Sequence, residues 1–197
     1  GSEMCIRDRP LATHHTVPSC AWMLESKGGA GKFNRLKAAE LRLTDEQKGQ
    51  LSSGNDITMA DGTLLKADDF RGQERPSTRI VVSGDTAEMA DGITSISDVD
   101  VLVHESTFID EAQQWADEFL HSTSTGAART ALACNARHLV LTHFSARLKN
   151  AIIPLSEAKD LFDSSDVSVS AADDGDRIKI SENGAISHLV WSGDGWS

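Results

Sequence analysis

No two cysteines in the 197-residue chain stand in CxxC spacing; Cys5, Cys20 and Cys134 are isolated and odd in number. That pattern excludes a disulfide framework and a cysteine-rich zinc site, and it fits reduced thiols in the cytoplasm. No apolar run approaches the roughly 18 residues that a membrane-spanning helix needs, so no membrane role is expected. A leader of basic, then apolar, then small residues is also missing, which leaves secretion without support. The stretch Ser26-Lys-Gly-Gly-Ala-Gly-Lys-Phe33 falls short of a phosphate-binding P-loop. Ser26 stands where the first glycine is needed and Phe33 where serine or threonine is needed, so no nucleotide cofactor is expected.

What is present describes a folded domain. Hydrophobic residues make up 39% and charged residues 25%, enough apolar material for one hydrophobic core and too much for a disordered chain. The formal net charge of −11 speaks against nucleic acid as a partner, but the charge is uneven. Between Lys27 and Lys48 six bases face three acids, whereas from Ile80 to Ala128 there is no lysine or arginine and there are ten acids. Whole-chain charge therefore says little about any one surface.

Residues 1–9 do not read as structure: Gly1-Ser2 resembles a cloning scar, and residues 4–9 resemble translated adapter sequence. On that expectation the native sequence begins near Pro10, within a longer gene, and residues 10–197 are the C-terminal part of a domain. Apolar composition predicts strands over 16–25, 79–83, 99–103, 138–142, 167–170, 177–180 and 186–191. Helices are expected over 34–43, 110–120, 125–136 and 155–162, with Ser124 as the N-cap of the third. Residues 28–76 are polar, with Gly28-Gly29 at their start and a hairpin signal at Ala60-Asp61-Gly62, and read as an inserted flexible arm. Strands alternating with helices argue an α/β fold.

Three of the apolar strands run into residues able to ligate a metal or carry a proton: Asp85, His104-Glu105 and His143. In α/β sheets the loops at strand C-termini converge on one crevice, where chemistry collects. Each residue also has a plain structural reading. Asp85 could be a turn aspartate, His143 a hydrogen-bonded core histidine, and His121-Ser122-Thr123 a helix-capping segment. The recurrence of one kind of position is what favours a shared site, because buried polar groups need partners and a metal satisfies several together.

Ser83-Gly-Asp-Thr86, Val103-His-Glu-Ser-Thr-Phe108, His121-Ser-Thr123 and Leu141-Thr-His-Phe-Ser-Ala-Arg147 together resemble the C-terminal motifs of ribonuclease Z, a tRNA 3′-processing endoribonuclease of the metallo-β-lactamase superfamily. The order is the family's, and so are the separations of 58 residues from Asp85 to His143 and 22 from His121 to His143. The resemblance covers roughly residues 10–180 and includes Gly31-Lys-Phe-Asn34 to Arg75-Pro76, similar to the family's variable arm. It implies the C-terminal half of an αββα sandwich with an inserted arm, acting on precursor tRNA with two zinc ions, manganese being possible, and as a homodimer in the intact protein. Asp85 would bridge the two ions, His143 would ligate one and His15 the other, with adjacent His14 the alternative. Imidazole nitrogen and carboxylate oxygen suit zinc, and such a pair of ions activates water for attack at phosphorus. His121 would protonate the leaving 3′-oxygen, with Glu105 orienting its ring and His104, Thr86 and Ser122 in support. Arg147 would meet a substrate phosphate, or else form a structural ion pair. Lys32, Arg35 and Lys37, on the arm, would contact tRNA.

The sequence departs from the family in one large respect and one small one. The HxHxDH motif, which supplies further ligands to both ions, occurs nowhere in it. With only His15, Asp85 and His143 left, a weak or absent metal site and an inactive polypeptide are expected. Ser106 replaces a usual alanine, a change that should be tolerated. Two other readings remain open: a related hydrolase acting on other phosphodiesters or sulfate esters, and a non-catalytic half-domain whose uncovered faces associate.

Overall fold

A computed structural model describes residues 6–197; Gly1-Ser2, expected to be a cloning scar, and Cys5 lie outside the described residues. In chain order the elements are β1 (Ile6–Ala12), β2 (Cys20–Ser26), α1 (Arg35–Glu40), α2 (Asp45–Ser52), β3 (Ile57–Thr58), β4 (Leu64–Leu65), β5 (Thr78–Val82), α3 (Asp91–Thr94), β6 (Val101–Glu105), α4 (Gln113–Phe119), α5 (Ser124–Ala133), β7 (His138–Thr142), α6 (Ile152–Phe162), β8 (Ser168–Ala171), β9 (Arg177–Ile180) and β10 (Ile186–Leu189). They form two compact units. One takes the chain up to Lys27, Thr78–Ser181 and Ala185–Ser197, and the other takes Gly28–Ser77 with Glu182–Gly184.

The larger unit is built on a six-stranded mixed sheet in the order β1-β2-β5-β6-β7-β8. β5, β6, β7 and β8 are parallel, while β2 runs antiparallel to β5 and β1 antiparallel to β2. β6 and β7 each carry an uninterrupted apolar run, residues 101–103 and 139–141, because these strands are central and buried. One sheet face, with Leu11, Met23, Val81, Leu102, Leu139 and Leu141, packs on α3, α5 and α6. Ala127, Ala128 and Ala131 of α5 are buried in the same cluster. Trp22 and Val82, on the alternating positions of β2 and β5, are exposed. Cys134 sits in the packed core, and burial pushes its thiol up to about 11, so it is an inert thiol at neutral pH. Exposed Cys20 forms no disulfide among the described residues.

Several boundaries differ from expectation. Residues 6–9, expected to lie outside the fold, are the first half of β1, paired in register with Met23–Ser26. Strand pairing uses backbone groups that every residue but proline carries, so a polar segment can join an edge. The strand expected over 16–25 begins at Cys20, and His104-Glu105 lie inside β6 rather than beyond it. The N-cap of α5 is Thr123, whose hydroxyl accepts from Gly126 N, and not Ser124. No helix among the described residues is long and apolar enough to cross a membrane.

The smaller unit is more than a polar loop. Ala38, Leu43, Leu51, Ile57, Ala67 and Phe70 form its own buried cluster, with Phe33 stacked on Phe70. Asn34 caps α1, and Thr44 with Gln47 closes a capping box on α2. The expected turn at Ala60-Asp61-Gly62 joins β3 to β4.

Candidate metal and proton-transfer site

The parallel run of β5, β6 and β7 brings their C-terminal ends to one edge of the sheet. Because β2 is antiparallel to β5, the loop joining β1 to β2 lies at that same edge. Asp85 follows β5, Glu105 ends β6, His143 follows β7, and His15 comes from the β1–β2 loop. His121 follows α4. Residues Gly84, Leu120 and His143 have φ of +60°, +52° and +56°, the left-handed turns that aim this group. Non-glycine residues adopt that conformation at a cost of about 1–2 kcal/mol, which concentrates at functional sites.

Glu105 organises the centre. It is 1% exposed, and its carboxylate is fully engaged. Oε1 accepts from Thr86 N (3.0 Å) and faces His121 Nδ1 at 2.6 Å, while Oε2 accepts from the Thr107 amide (3.1 Å) and hydroxyl (2.8 Å). A buried carboxylate needs such partners, and one so engaged orients its neighbours rather than offering a free lone pair to a metal.

The same bonds determine which nitrogen of each histidine carries its proton. Thr107 Oγ1 gives its single proton to Glu105, so at 2.9 Å from His143 Nδ1 it accepts. His15 Nδ1 lies 3.0 Å from the Leu120 carbonyl, which can only accept. His121 Nδ1 donates to Glu105. All three rings are therefore protonated at Nδ1 and leave Nε2 as the free donor atom, the usual arrangement behind a metal-binding or proton-donating imidazole.

The donor atoms converge. One from each of His15, Asp85 and His121 lie within 4.8 Å of one another, as do those of Glu105, His121 and His143. His143 Nε2 is 3.6 Å from Asp85 Oδ1. The rings of His15 and His121 meet edge to face at 4.7 Å, and those of His121 and His143 stack at 5.7 Å. The nitrogen and carboxylate donors of His15, Asp85 and His121 suit a divalent metal ion, whereas Glu105 in the second grouping is already engaged. The grouping differs from expectation in that His121 shares both clusters, whereas His15 and His143 stand in different ones. His14 is exposed and contributes only backbone, its N–H bonding Thr86 Oγ1 at 3.0 Å.

The residues expected in support make hydrogen bonds beside the site. Ser122 Oγ donates to the Thr86 carbonyl (2.9 Å), tying the His121 segment to the turn carrying Asp85. His104 is fully buried, and its Nδ1–H bonds the Glu105 carbonyl at 2.8 Å. Burial pushes its pKa down, so it stays neutral. Arg147 forms no ion pair among the described residues; its guanidinium lies 4.9 Å from the Trp115 ring centre. Thr107 is the residue that motif reading missed. It sits inside the His104-Glu-Ser-Thr107 segment, but nothing in a one-dimensional motif marks a hydroxyl as touching three ring and carboxylate partners.

On the smaller unit, Lys32 pairs with Glu182, and Lys37 lies over the Phe70 ring at 4.7 Å while donating to the Asp69 carbonyl. Arg35 is exposed and, with Lys32 and Arg71, lines one shallow cavity. Over Gly28–Ser77 eight bases and eight acids leave no net charge, so the excess seen in Lys27–Lys48 is local to its N-terminal part.

The mixed sheet with its parallel β5–β7 core and packed helices has a metallo-β-lactamase fold. The metallo-β-lactamase-fold protein YhfI of Bacillus subtilis matches 93% of this chain and 49% of its own at a TM-score of 0.50 and 17% identity. A long-form RNase Z from yeast matches 85% of this chain and 16% of its own at the same score and identity. At that identity these likenesses show the fold alone. Sequence narrows the relationship: the chain is a relative of ribonuclease Z. It is 33% identical to the ribonuclease Z of Haloferax volcanii over 174 residues, covering 87% of this chain and 54% of that protein. It is 36% identical to that of Methanosarcina mazei over 157 residues (79% and 51%), and 40% identical to that of Myxococcus xanthus over 138 residues (70% and 45%). The chain spans about half the length of the curated relatives it matches. No protein-family model matches it.

Proposed function

We propose that this chain supplies the proton-donating part, and some of the metal ligands, of an endoribonuclease that matures the 3′ end of precursor tRNA. The observation that carries the reading is the Glu105–His121 pair, 2.6 Å apart and set at the strand edge shared with His15, Asp85 and His143. The similarity to ribonuclease Z over most of the chain supports the substrate.

In this reading His15, Asp85 and His143 hold metal, with zinc favoured by their nitrogen and carboxylate donors. A divalent ion there supplies Lewis acidity at the phosphate. His121 holds the proton that passes from Nε2 to the leaving 3′-oxygen, and Glu105 stabilises the charged ring by accepting from Nδ1. Arg147 meets a phosphate, as do Lys32, Arg35 and Lys37 on the smaller unit. A homodimer and a cytoplasmic setting follow from the same reading, the second also from three dispersed cysteines with no CxxC spacing.

The test joins this chain to a polypeptide bearing HxHxDH, the N-terminal half of a ribonuclease Z. Incubated with zinc or manganese, the fusion is expected to release the trailer from 3′-extended precursor tRNA. A fusion that folds by circular dichroism yet leaves the precursor intact overturns the reading. In that fusion, His121→Ala is expected to slow cleavage by about 10²–10⁴-fold with metal content unchanged. Loss of metal from this variant would make His121 a ligand, the alternative that its place in both donor clusters raises.

A further inference from the structure

Beside the site is a cavity whose lining, Arg147 apart, has no assigned role in substrate binding. It has a volume of about 440 Å³ and is lined by Thr107, Phe108, Gln114, Trp115, Ser145 and Arg147, among others. Its contact with the site is direct, since the Thr107 hydroxyl that bonds Glu105 and His143 also borders this cavity.

An aromatic series leads the same way. The His121 ring lies 6.1 Å from that of Phe108, Phe108 lies 6.3 Å from Trp115, and both contacts are edge to face. Trp115, on α4, is 47% exposed, although burying an indole is among the largest apolar gains available to a side chain. Arg147 stays over the indole at 4.9 Å rather than pairing with Glu111, another residue of the cavity wall.

These features suit one class of ligand. A volume within the roughly 300–1,000 Å³ of small-molecule sites accommodates a single nucleotide and excludes a duplex. A half-open indole stacks on any base, a guanidinium neutralises the adjoining phosphate, and Gln114 offers both a donor and an acceptor to a base edge. An apolar peptide would have no use for the cation and amide. We propose that this cavity is a subsite for one unpaired nucleobase of the RNA next to the scissile phosphate, with Trp115 as its stacking platform and Arg147 as its phosphate contact. The subsite rests on the ribonuclease reading and adds to it the residue that senses a base beside the cut. Trp115 is a positioning residue: it touches the substrate's base and leaves the reacting atoms to the histidines.

The test is metal-free and needs no turnover. Binding of a fluorescein-labelled RNA trinucleotide and of its abasic counterpart is measured by anisotropy on the whole chain, on Trp115→Ala and on Trp115→Phe. The native chain is expected to prefer the base-bearing RNA by about tenfold, the scale of one stacked base. Trp115→Ala is expected to lose that preference while binding the abasic RNA unchanged, and Trp115→Phe to keep most of it. Because the indole is half exposed, the alanine variant should fold, which near-native thermal melting checks. Equal binding of the two RNAs by all three proteins overturns the subsite and leaves the ribonuclease reading standing. Binding of neither RNA by the native chain overturns the subsite, and cleavage of precursor tRNA by the fusion decides the ribonuclease reading separately.

Discussion

Thr107 shows how much of this site depends on a residue with no charge and no ligand atom for zinc. Its hydroxyl bonds Glu105 at 2.8 Å and His143 at 2.9 Å, and it lies 3.2 Å from His121 Nδ1. Thr107→Val keeps the shape and removes the hydroxyl, so His143 loses the acceptor that holds its Nδ1 proton. Partners behind metal ligands are typically worth 10–100-fold in metal affinity or activity. The expected result is a fall of about that size in zinc affinity, measured by competition with a chromophoric chelator, and recovery of most of it in Thr107→Ser. A valine variant that binds zinc like the native chain would leave Thr107 a packing residue. The motif order disclosed Asp85, Glu105, His121 and His143 because titratable residues at strand ends are conspicuous. It passed over Thr107 because threonine is common everywhere and its bonds link residues 36 positions apart.

Among the elements, the turns after strands do the aiming and the strand pairs tolerate the least change. Gly84, at φ +60°, turns the chain from β5 into Asp85, and a Cβ there would lie 3.0 Å from the Cys20 carbonyl oxygen. Gly84→Ala is expected to lower stability by about 1–2 kcal/mol in urea unfolding, the cost of a left-handed non-glycine residue. It should also displace Asp85 and weaken metal binding; a variant with native stability would argue against this turn. Between β7 and β8, His138 is held by Ser168 Oγ at 2.7 Å and Ser170 Oγ at 2.9 Å. Burial, and then the nearby His188, push its pKa below the ordinary 6.5. The unfolded chain therefore binds that proton more readily than the folded one. The stability tied to neutral His138 is complete above about pH 6.5 and is lost as pH falls through its depressed folded value. The urea midpoint is expected to drop from pH 7.5 to pH 5.5, and to drop less in His138→Gln; equal drops would remove His138 as a cause. Buried His104 contributes in the same direction, so the variant should keep part of the slope.

For the whole molecule, the separation into two compact units predicts separable losses. In the fusion carrying HxHxDH, deletion of residues 30–70 is expected to weaken precursor tRNA binding about tenfold or more, since phosphate contacts add to affinity, while hydrolysis of a small phosphodiester is spared. Equal loss on both substrates would mean that the smaller unit supports the site's structure instead. By itself, the sequence determined the α/β class, the central strands β6 and β7, and the order of the motifs, because apolar runs and strand-end polar residues are local patterns. It also drew attention to a +3 excess in Lys27–Lys48, but not to the apolar cluster that makes the arm a folded unit, since Ala38, Leu51 and Phe70 meet only in three dimensions. The tertiary structure alone decided that residues 6–9 pair within β1, that Thr107 joins the carboxylate to a histidine, and that His15 Nε2 is free while His14 is exposed. The reason is that backbone pairing and hydrogen bonds between distant residues depend on register and strand direction, which no short stretch of sequence encodes. The half of a zinc hydrolase that the motifs suggested is thus, in three dimensions, a buried glutamate holding its histidine at the edge of a parallel sheet.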